Sequence, residues 1–155
     1  SGGSTDVDVM EYFTFATAGN AADFGNLTVA RARSTSFESN TRGICSNGRD
    51  FDGPSVLNTI DYITIQTTGN ATDFGDSTES KDYVSGTSSN LRGLTAGGYA
   101  PGASNVIDYV TIASTGDATD FGDLSRTRTV MAATSNNLRG YFGYFRQVRA
   151  NCRFE

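Results

Sequence analysis

Three aspartates lie three residues apart in the glycine-rich stretch TGDATDFGD, at Asp117, Asp120 and Asp123. Clustered carboxylate oxygens are the ligands that Ca²⁺ takes in proteins, so the stretch is a candidate calcium site. The spacing differs from that of an EF-hand loop, however, and Asn and Asp side chains commonly bond their own backbone in turns. Turn capping is therefore the favoured interpretation, calcium binding is the alternative, and no cofactor is expected.

Residues that support catalysis are scarce in this chain. It contains no His, which removes the commonest general base and the commonest transition-metal ligand. Paired carboxylates hydrolyse glycosides in many enzymes, but the candidate aspartates recur in each copy of one stretch, which is typical of a structural role. The chain is therefore expected not to be an enzyme, and a hydrolase is the least favoured of three hypotheses.

The aspartate stretch belongs to an internal repeat. It recurs as TGNATDFGD at Thr68–Asp76 and as AGNAADFGN at Ala18–Asn26, and the landmarks around it keep offsets of 50 and 47 residues. The chain therefore divides into units of about 47–50 residues, at 7–55, 56–104 and 105–155. The recurring positions are the aromatic residues Phe24, Phe74 and Phe121, the basic residues Arg31, Lys81 and Arg128, the arginines Arg42, Arg92 and Arg139, and the acidic residues Glu11, Asp61 and Asp108.

A period near 50 residues is typical of a four-stranded propeller blade. The run TIDYITIQ at 59–66 is rich in β-branched and aromatic residues and predicts a strand, and a second strand is predicted around Leu91–Ala96. The stretch Thr68–Asp76 is predicted to be a tight connection, and Phe74 and its equivalent Phe121 are expected to be buried against the neighbouring unit, where they fill the gap. We therefore expect an all-β fold of three antiparallel, four-stranded, blade-like units.

These landmarks resemble the kelch-type β-propeller repeat: a strand ending at Gly97-Gly98, an acidic-Tyr strand, an aromatic corner and an Arg-Gly pair. They also resemble the degenerate arrays of predicted fibre and virion proteins of aquatic bacteriophages, chiefly at Asn58–Asp76 and Asn105–Asp123. The kelch corner is usually Trp, whereas this chain has Phe. The resemblance implies a propeller-like fold and an extracellular or virion-surface location.

The repeated arginines Arg42, Arg92 and Arg139 are expected to pair with Asp61 or its equivalents between units, because a charge repeated at one position usually joins neighbouring repeats. A ligand-facing groove is the alternative. Asn26 and Asn70 fit the glycosylation sequon, but their turn positions explain both residues and are the favoured interpretation, with glycosylation as the alternative.

Cys45 and Cys152 are either bridged in one disulfide that closes a long loop or two buried free thiols. The net charge of −5 and the absence of a clustered basic patch make nucleic acid an unfavoured partner. No run of apolar residues approaches the length of a membrane span, so no membrane partner is expected.

Three blades are too few to close a propeller, which takes about four to eight. Exposed sheet edges tend to pair, so we expect completion by a second copy, with residues 139–155 of one chain against Val7–Arg31 of the next. The favoured hypothesis is a self-assembling structural protein that forms a fibre, ring or virion appendage. The alternative is a carbohydrate-binding module that uses the variable loops Arg49–Ser55 and Tyr99–Ser104.

Overall fold

A computed structural model describes residues 7–53 and 56–143 of the chain. Within these ranges the fold is all-β and every strand pairing is antiparallel, which confirms the expected fold class. None of the described residues belongs to a helix that could span a lipid bilayer. In chain order the strands are β1 (Val9–Tyr12), β2 (Ala22–Asn26), β3 (Thr35–Glu38), β4 (Arg42–Gly48), β5 (Leu57–Thr64), β6 (Thr72–Asp76), β7 (Ser85–Ser88), β8 (Arg92–Ala96), β9 (Val106–Thr111), β10 (Thr119–Asp123), β11 (Ala132–Ser135) and β12 (Gly140–Gly143).

The strands form two complete sheets and two half-sheets. The complete sheets have the orders β3-β4-β5-β6 and β7-β8-β9-β10, and the pairs β1-β2 and β11-β12 each form a two-stranded sheet. Within each sheet of the described ranges, strands that follow one another in the chain therefore pair, as in a propeller blade, and none of these sheets closes into a barrel. Each complete sheet takes two strands from one sequence unit and two from the next, because β4 precedes and β5 follows the boundary between residues 55 and 56.

The repeated stretch Thr68–Asp76 is a turn followed by a strand, so its prediction as one tight connection was wrong. Strand β6 begins at Thr72, and its pairing with β5 shifts between Gly75 and Asp73, which leaves Phe74 as a bulge residue. The bulge absorbs the extra residue and lets a glycine-containing segment continue as a strand. The pairs β1-β2 and β9-β10 carry the same irregularity.

The complete sheets pack face to face around one hydrophobic core. Its buried members are Phe37, Ile44, Ile60, Phe74, Val110 and Ile112. Phe37 on β3 lies directly over Gly93 on β8, so closely that a Cβ on this glycine would overlap the aromatic ring. Close packing of a large residue against a glycine fixes how one sheet lies on the next.

Candidate functional site

A buried ion pair joins the first repeat to the second. Arg31 and Asp61 form a salt bridge in which both side chains are 0% exposed. The Thr28 hydroxyl donates to Asp61 Oδ1 at 2.6 Å, and the Thr28 backbone N–H donates to Oδ2 at 3.2 Å. Arg31 also donates to the Thr59 carbonyl at 2.9 Å. The two charges are therefore paired where water does not reach them, and among the described residues only Arg31 Nε of the guanidinium has no hydrogen-bond partner.

The second and third repeats are joined by an ion pair at the equivalent positions, although Lys81 Nζ and Asp108 Oδ2 have no hydrogen-bond partner among the described residues. Lys81 Nζ lies 3.4 Å from Asp108 Oδ2, and both side chains are only 1% exposed. The Thr78 hydroxyl donates to Asp108 Oδ1 at 2.5 Å. A basic residue of one unit thus meets the buried aspartate of the next, and this ion pair recurs at both junctions between repeats.

The prediction that Arg42 pairs with Asp61 was wrong, because the partner of Asp61 is Arg31. Arg42 lies over the Tyr62 ring at 4.6 Å and donates to the Ile112 carbonyl at 2.8 Å. Arg92 lies over Tyr109 in the same way, also at 4.6 Å. The strand register explains the difference, because Arg42 lies opposite Thr64 at the end of β5, three positions from Asp61.

The repeated nine-residue stretch docks on the sheet edge of the preceding repeat. Gly69 N–H donates to the Phe24 carbonyl at 2.7 Å, and Ala71 N–H donates to the Asn26 carbonyl at 2.8 Å. The Asn70 side-chain oxygen accepts the Asn26 backbone N–H at 3.1 Å. The turn therefore covers the outer edge of β2.

The next copy of the stretch makes the same three bonds on β6. Gly116 N–H donates to the Phe74 carbonyl and Ala118 N–H to the Asp76 carbonyl, each at 2.7 Å. Asp117 Oδ1 accepts the Asp76 backbone N–H at 3.0 Å. The recurrence of the turn is explained by this contact, because every edge strand needs the same partner for its backbone groups.

The structure does not bring the candidate calcium ligands together. Asp117 accepts a backbone N–H of the preceding repeat, and Asp120 accepts the N–H of Gly122 at 2.9 Å. Among the described residues no three His, Cys, Asp or Glu side chains are grouped so that they could hold a metal ion. Asp120 therefore caps its own turn, as the turn interpretation predicts, whereas Asp117 accepts from the backbone of the preceding repeat.

The aromatic residues of the repeat do not share one environment. Phe24 and Phe74 are buried, with 7% and 2% of their surface exposed, whereas Phe121 is 53% exposed. Burial of Phe121 against a neighbouring unit was therefore a wrong expectation. The reason is positional, because no described segment docks on β10 as Gly69–Ala71 docks on β2.

The remaining sequence candidates have local structural contacts. Asn26 donates from Nδ2 to Asp8 at 2.9 Å, and Asn70 is exposed, so glycosylation of either stays a prediction. Arg139 lies just before β12 and its backbone N–H donates to Asn136. Cys45 is half-buried on β4, and Cys152 lies outside the described residues, so the disulfide also stays a prediction.

The two variable loops line a common cavity of about 480 Å³, formed by Arg49, Val56, Ser80, Tyr99, Ala100 and Pro101. Arg49 donates to the buried Asp82 at 2.7 Å, and this hydrogen bond raises the pKa of Arg49 above its ordinary value. Arg33 reaches the same carboxylate at 3.3 Å. Nothing in the repeat pattern predicts this charge cluster, because Arg49 has no counterpart at its position in the second unit.

The two half-sheets lie at opposite ends of the stack. Within the described part of the chain, β1 pairs only with β2, and β12 pairs only with β11. A largely apolar groove of about 400 Å³ runs beside the first half-sheet, between Met10 and Leu27 on one side and Phe37, Gly43 and Ile44 on the other. In the part of the chain that the structure describes, the stack thus ends in open strand edges and an open groove.

No protein-family model matches the chain, and none of the curated proteins compared with it is similar in sequence. The geometry of the open ends is therefore the basis for assigning a function.

Proposed function

We propose that the chain is a non-enzymatic structural protein that assembles head to tail with copies of itself. The observation that carries the proposal is the division of its strands into two complete sheets flanked by two half-sheets. The half-sheet β11-β12 corresponds to the first two strands of a complete sheet, and β1-β2 corresponds to the last two. One copy therefore holds, at its two ends, the two halves of a further four-stranded sheet.

The register within the chain specifies how β12 would pair with β1 of a second copy. In the complete sheet of the second and third units, Leu94 on β8 lies opposite Tyr109 on β9. Tyr141 occupies the position of Leu94 on β12, and Tyr12 occupies the position of Tyr109 on β1. Both tyrosines are exposed in one copy, at 56% and 43%, so the proposed pairing covers apolar surface as well as backbone groups.

The groove beside β1-β2 supports the same arrangement. Phe37 covers Gly93 where the two complete sheets pack. The glycine that corresponds to Gly93 in the first unit is Gly43, which lines the groove. Thr134 holds the repeat position of Phe37, so in a head-to-tail pair Thr134 of the preceding copy would lie over Gly43.

The contact is heterologous, since one end of the molecule meets the opposite end of its neighbour. Such a contact gives a ring where the rotation closes and a filament where it does not. Two copies in a closed ring would carry six blade-like sheets, which falls within the range of about four to eight found in propellers. A fibre or virion appendage is the open form, and the setting that we propose for it is extracellular or at a virion surface.

A mixed cross-linking experiment tests the proposal. Two full-length variants in a background with both cysteines changed to serine carry either Tyr12→Cys or Tyr141→Cys. Oxidation of the mixture is expected to give a disulfide-linked dimer of one copy of each, while each variant alone gives much less. Leu94→Cys with Tyr109→Cys in one chain is the positive control, because these positions face each other within a copy.

Two results would count against the proposal. A monomeric mass for the wild-type chain in sedimentation and in negative-stain images, at concentrations up to about millimolar, would exclude a stable assembly. Equal cross-linking of Tyr12→Cys with Ser135→Cys, a position at the far end of β11, would mean that the contact is not in register.

A carbohydrate-binding role is the second candidate, and the cavity between the variable loops favours it. Tyr99 is 45% exposed there, beside the Arg49 guanidinium, which is an arrangement of an aromatic face with polar donors that suits a sugar. Glycan-array binding that Tyr99→Ala abolishes, with assembly unchanged, would favour this role.

A further inference from the structure

A triplet of Gly, Asx and Ala docks on a sheet edge twice within the chain. Gly69–Ala71 docks on β2 and Gly116–Ala118 docks on β6, which we call the docking triplets. In each case two N–H groups of the triplet donate to carbonyls of the edge, and the Asx side chain accepts an edge N–H, with distances of 2.7–3.1 Å. Two occurrences with the same three bonds define the contact as a module.

The third edge, β10, is shaped for the module but is bare among the described residues. Gly122 has a φ of 136°, close to the 142° of Gly75 on β6. A Cβ on Gly75 would lie 2.6 Å from the backbone of the docked Gly116, whereas one on Gly122 would meet no described atom within 4 Å. The neighbouring Phe121 is 53% exposed, whereas the equivalent Phe74 is 2% exposed. The edge has therefore kept the conformation that admits a close backbone approach.

A third triplet lies at the other end of the molecule, at Gly19–Ala21. Its sequence, Gly-Asn-Ala, is identical to that of Gly69–Ala71, and all three residues are exposed. A Cβ on Gly19 would meet nothing within 4 Å in the part of the chain that the structure describes, so the triplet is as open as the β10 edge. Within residues 7–53 and 56–143, one molecule thus presents one bare edge and one exposed triplet of the kind that covers such edges.

We infer that β10 is a binding site for the Gly19–Ala21 triplet of a second copy of this chain. The first N–H of the triplet donates to the Phe121 carbonyl and its last N–H donates to the Asp123 carbonyl. The Asn20 side-chain oxygen accepts the Asp123 backbone N–H. The inference rests on the proposed self-assembly and adds a second contact to it, since the step that places β1 beside β12 also brings this triplet to β10.

The contact gives the assembly its register as well as part of its affinity. A strand edge alone tolerates slippage by two residues, because backbone groups repeat along it. The bulge at Phe121 and the glycine after it occur once on β10, and both equivalent bulges that are covered within the chain carry a Gly-Asx-Ala segment. Docking therefore selects the pairing in which the ion-pair geometry and sheet packing of the internal repeats are continued.

Substitution of Ala21 tests the site in the full-length chain. In the docked triplet on β6, Ala118 packs against the buried cluster that contains Phe74. Ala21→Arg is therefore expected to weaken self-association at least tenfold in sedimentation equilibrium. The circular dichroism and thermal midpoint of the dilute protein should not change, because Ala21 is exposed within one copy.

Two substitutions of Asn20 separate the side-chain contact from a general disturbance of the loop. Asn20→Ala is expected to weaken association about fivefold, the effect of one lost hydrogen bond. Asn20→Asp is expected to keep wild-type association, because Asp117 accepts the equivalent backbone N–H at 3.0 Å. Equal loss with both substitutions would overturn the assigned hydrogen bond.

Cross-linking of Tyr12→Cys with Tyr141→Cys distinguishes failure of this inference from failure of the proposed function. Wild-type association in the Ala21→Arg variant, with the cross-link still formed, would overturn docking at β10 and leave head-to-tail assembly intact. A wild-type chain that neither associates nor cross-links overturns both. Weakened association in Ala21→Arg with retention in Asn20→Asp supports the inference.

Discussion

Removing the carboxylate of Asp61 should be among the most destabilising single changes in this chain. Asp61→Asn keeps the size of the side chain but leaves the Arg31 guanidinium without its counter-ion, at a site where both side chains are 0% exposed. Breaking one side of a buried ion pair typically costs about 3–5 kcal/mol, because the remaining charge is neither paired nor hydrated. The amide also keeps only one acceptor for the two hydrogen bonds from Thr28.

Urea denaturation measures the loss. With an m value of about 2 kcal/mol/M, the expected loss lowers the unfolding midpoint by about 1.5–2.5 M, followed in parallel by circular dichroism and tyrosine fluorescence. Glu11→Gln is the matched control in the dilute, unassembled protein, because Glu11 holds the same repeat position but is exposed on β1 within one copy, and its loss should stay within about 0.5 kcal/mol.

A double variant separates the charge from the shape of the site. Asp61→Asn combined with Arg31→Met removes both charges, so it should lose less stability than Asp61→Asn alone, because replacing a buried pair by neutral groups is often close to neutral. A loss below about 1 kcal/mol for Asp61→Asn would refute the reasoning, since it would mean that water or another group compensates Arg31.

The other predictions concern packing and the thiols. Phe74→Ala should lower the free energy of unfolding by about 3–5 kcal/mol in urea denaturation, because the ring is 2% exposed. Phe121→Ala should lower it by less than about 1 kcal/mol in the dilute, unassembled protein, because Phe121 is 53% exposed. Equal losses would contradict the difference in burial. Gly93→Ala should lower the free energy of unfolding by about 1–3 kcal/mol, because the new Cβ would overlap the Phe37 ring. Gly140→Ala, whose Cβ would meet the Thr87 methyl group at 3.1 Å, should change it by no more than about 0.5 kcal/mol. No loss in Gly93→Ala would show that the sheets can move apart to admit the methyl group. If the two cysteines are bridged, titration of the unfolded, unreduced chain should find no reactive thiol, and reduction should remove up to about 4–5 kcal/mol of stability; two reactive thiols per chain would exclude the bridge.

The sequence was sufficient to predict strands wherever side-chain chemistry decides the local structure. The run TIDYITIQ predicted β5, and the segment ending at Gly97-Gly98 predicted β8, because β-branched and aromatic residues favour strands and paired glycines end them. The counterpart Asn47-Gly48 ends β4 in the same way, since Asn47 takes a φ of 59° where Gly97 takes 66°. Asparagine tolerates the left-handed region, so the substitution keeps the local geometry.

The partner of Asp61 could not be predicted from the repeat period alone, because two basic positions recur once in every repeat. Arg31 and Arg42 keep the same offsets to their counterparts, so periodicity does not distinguish them. Only the strand register decides, by placing Cys45 opposite Asp61 and Arg42 beyond its reach. A further signal was present in the sequence. Arg31 recurs as Lys81, and Thr28, three residues before it, recurs as Thr78, and a hydroxyl and a cation at this fixed spacing can bind one carboxylate together.

Phe121 shows a second limit of periodicity. A repeat alignment treats its three copies as equivalent, whereas burial depends on the segment that packs against each copy in space. Phe24 and Phe74 are each covered by the next docking triplet, and Phe121 has no such cover among the described residues. The exposure of Phe121, where the equivalent residues are buried, is therefore informative, because it marks the surface at which we propose that a second copy docks.

The proposed contact between copies uses the same parts as the contact between repeats, but the two must differ in strength. Repeats within one chain are held together covalently, so their contacts form without loss of translational freedom. Two copies lose that freedom on association, at a cost estimated at about 4–15 kcal/mol, before the same hydrogen bonds and packing are gained. The internal stack is therefore expected to be independent of protein concentration, whereas the join between copies should depend on it. The half-sheet pairing and the triplet docking form in one step, so each contact restricts the relative motion of the two copies and lowers the entropy cost of forming the other. Loss of either contact should therefore weaken association by more than the free energy of its own hydrogen bonds.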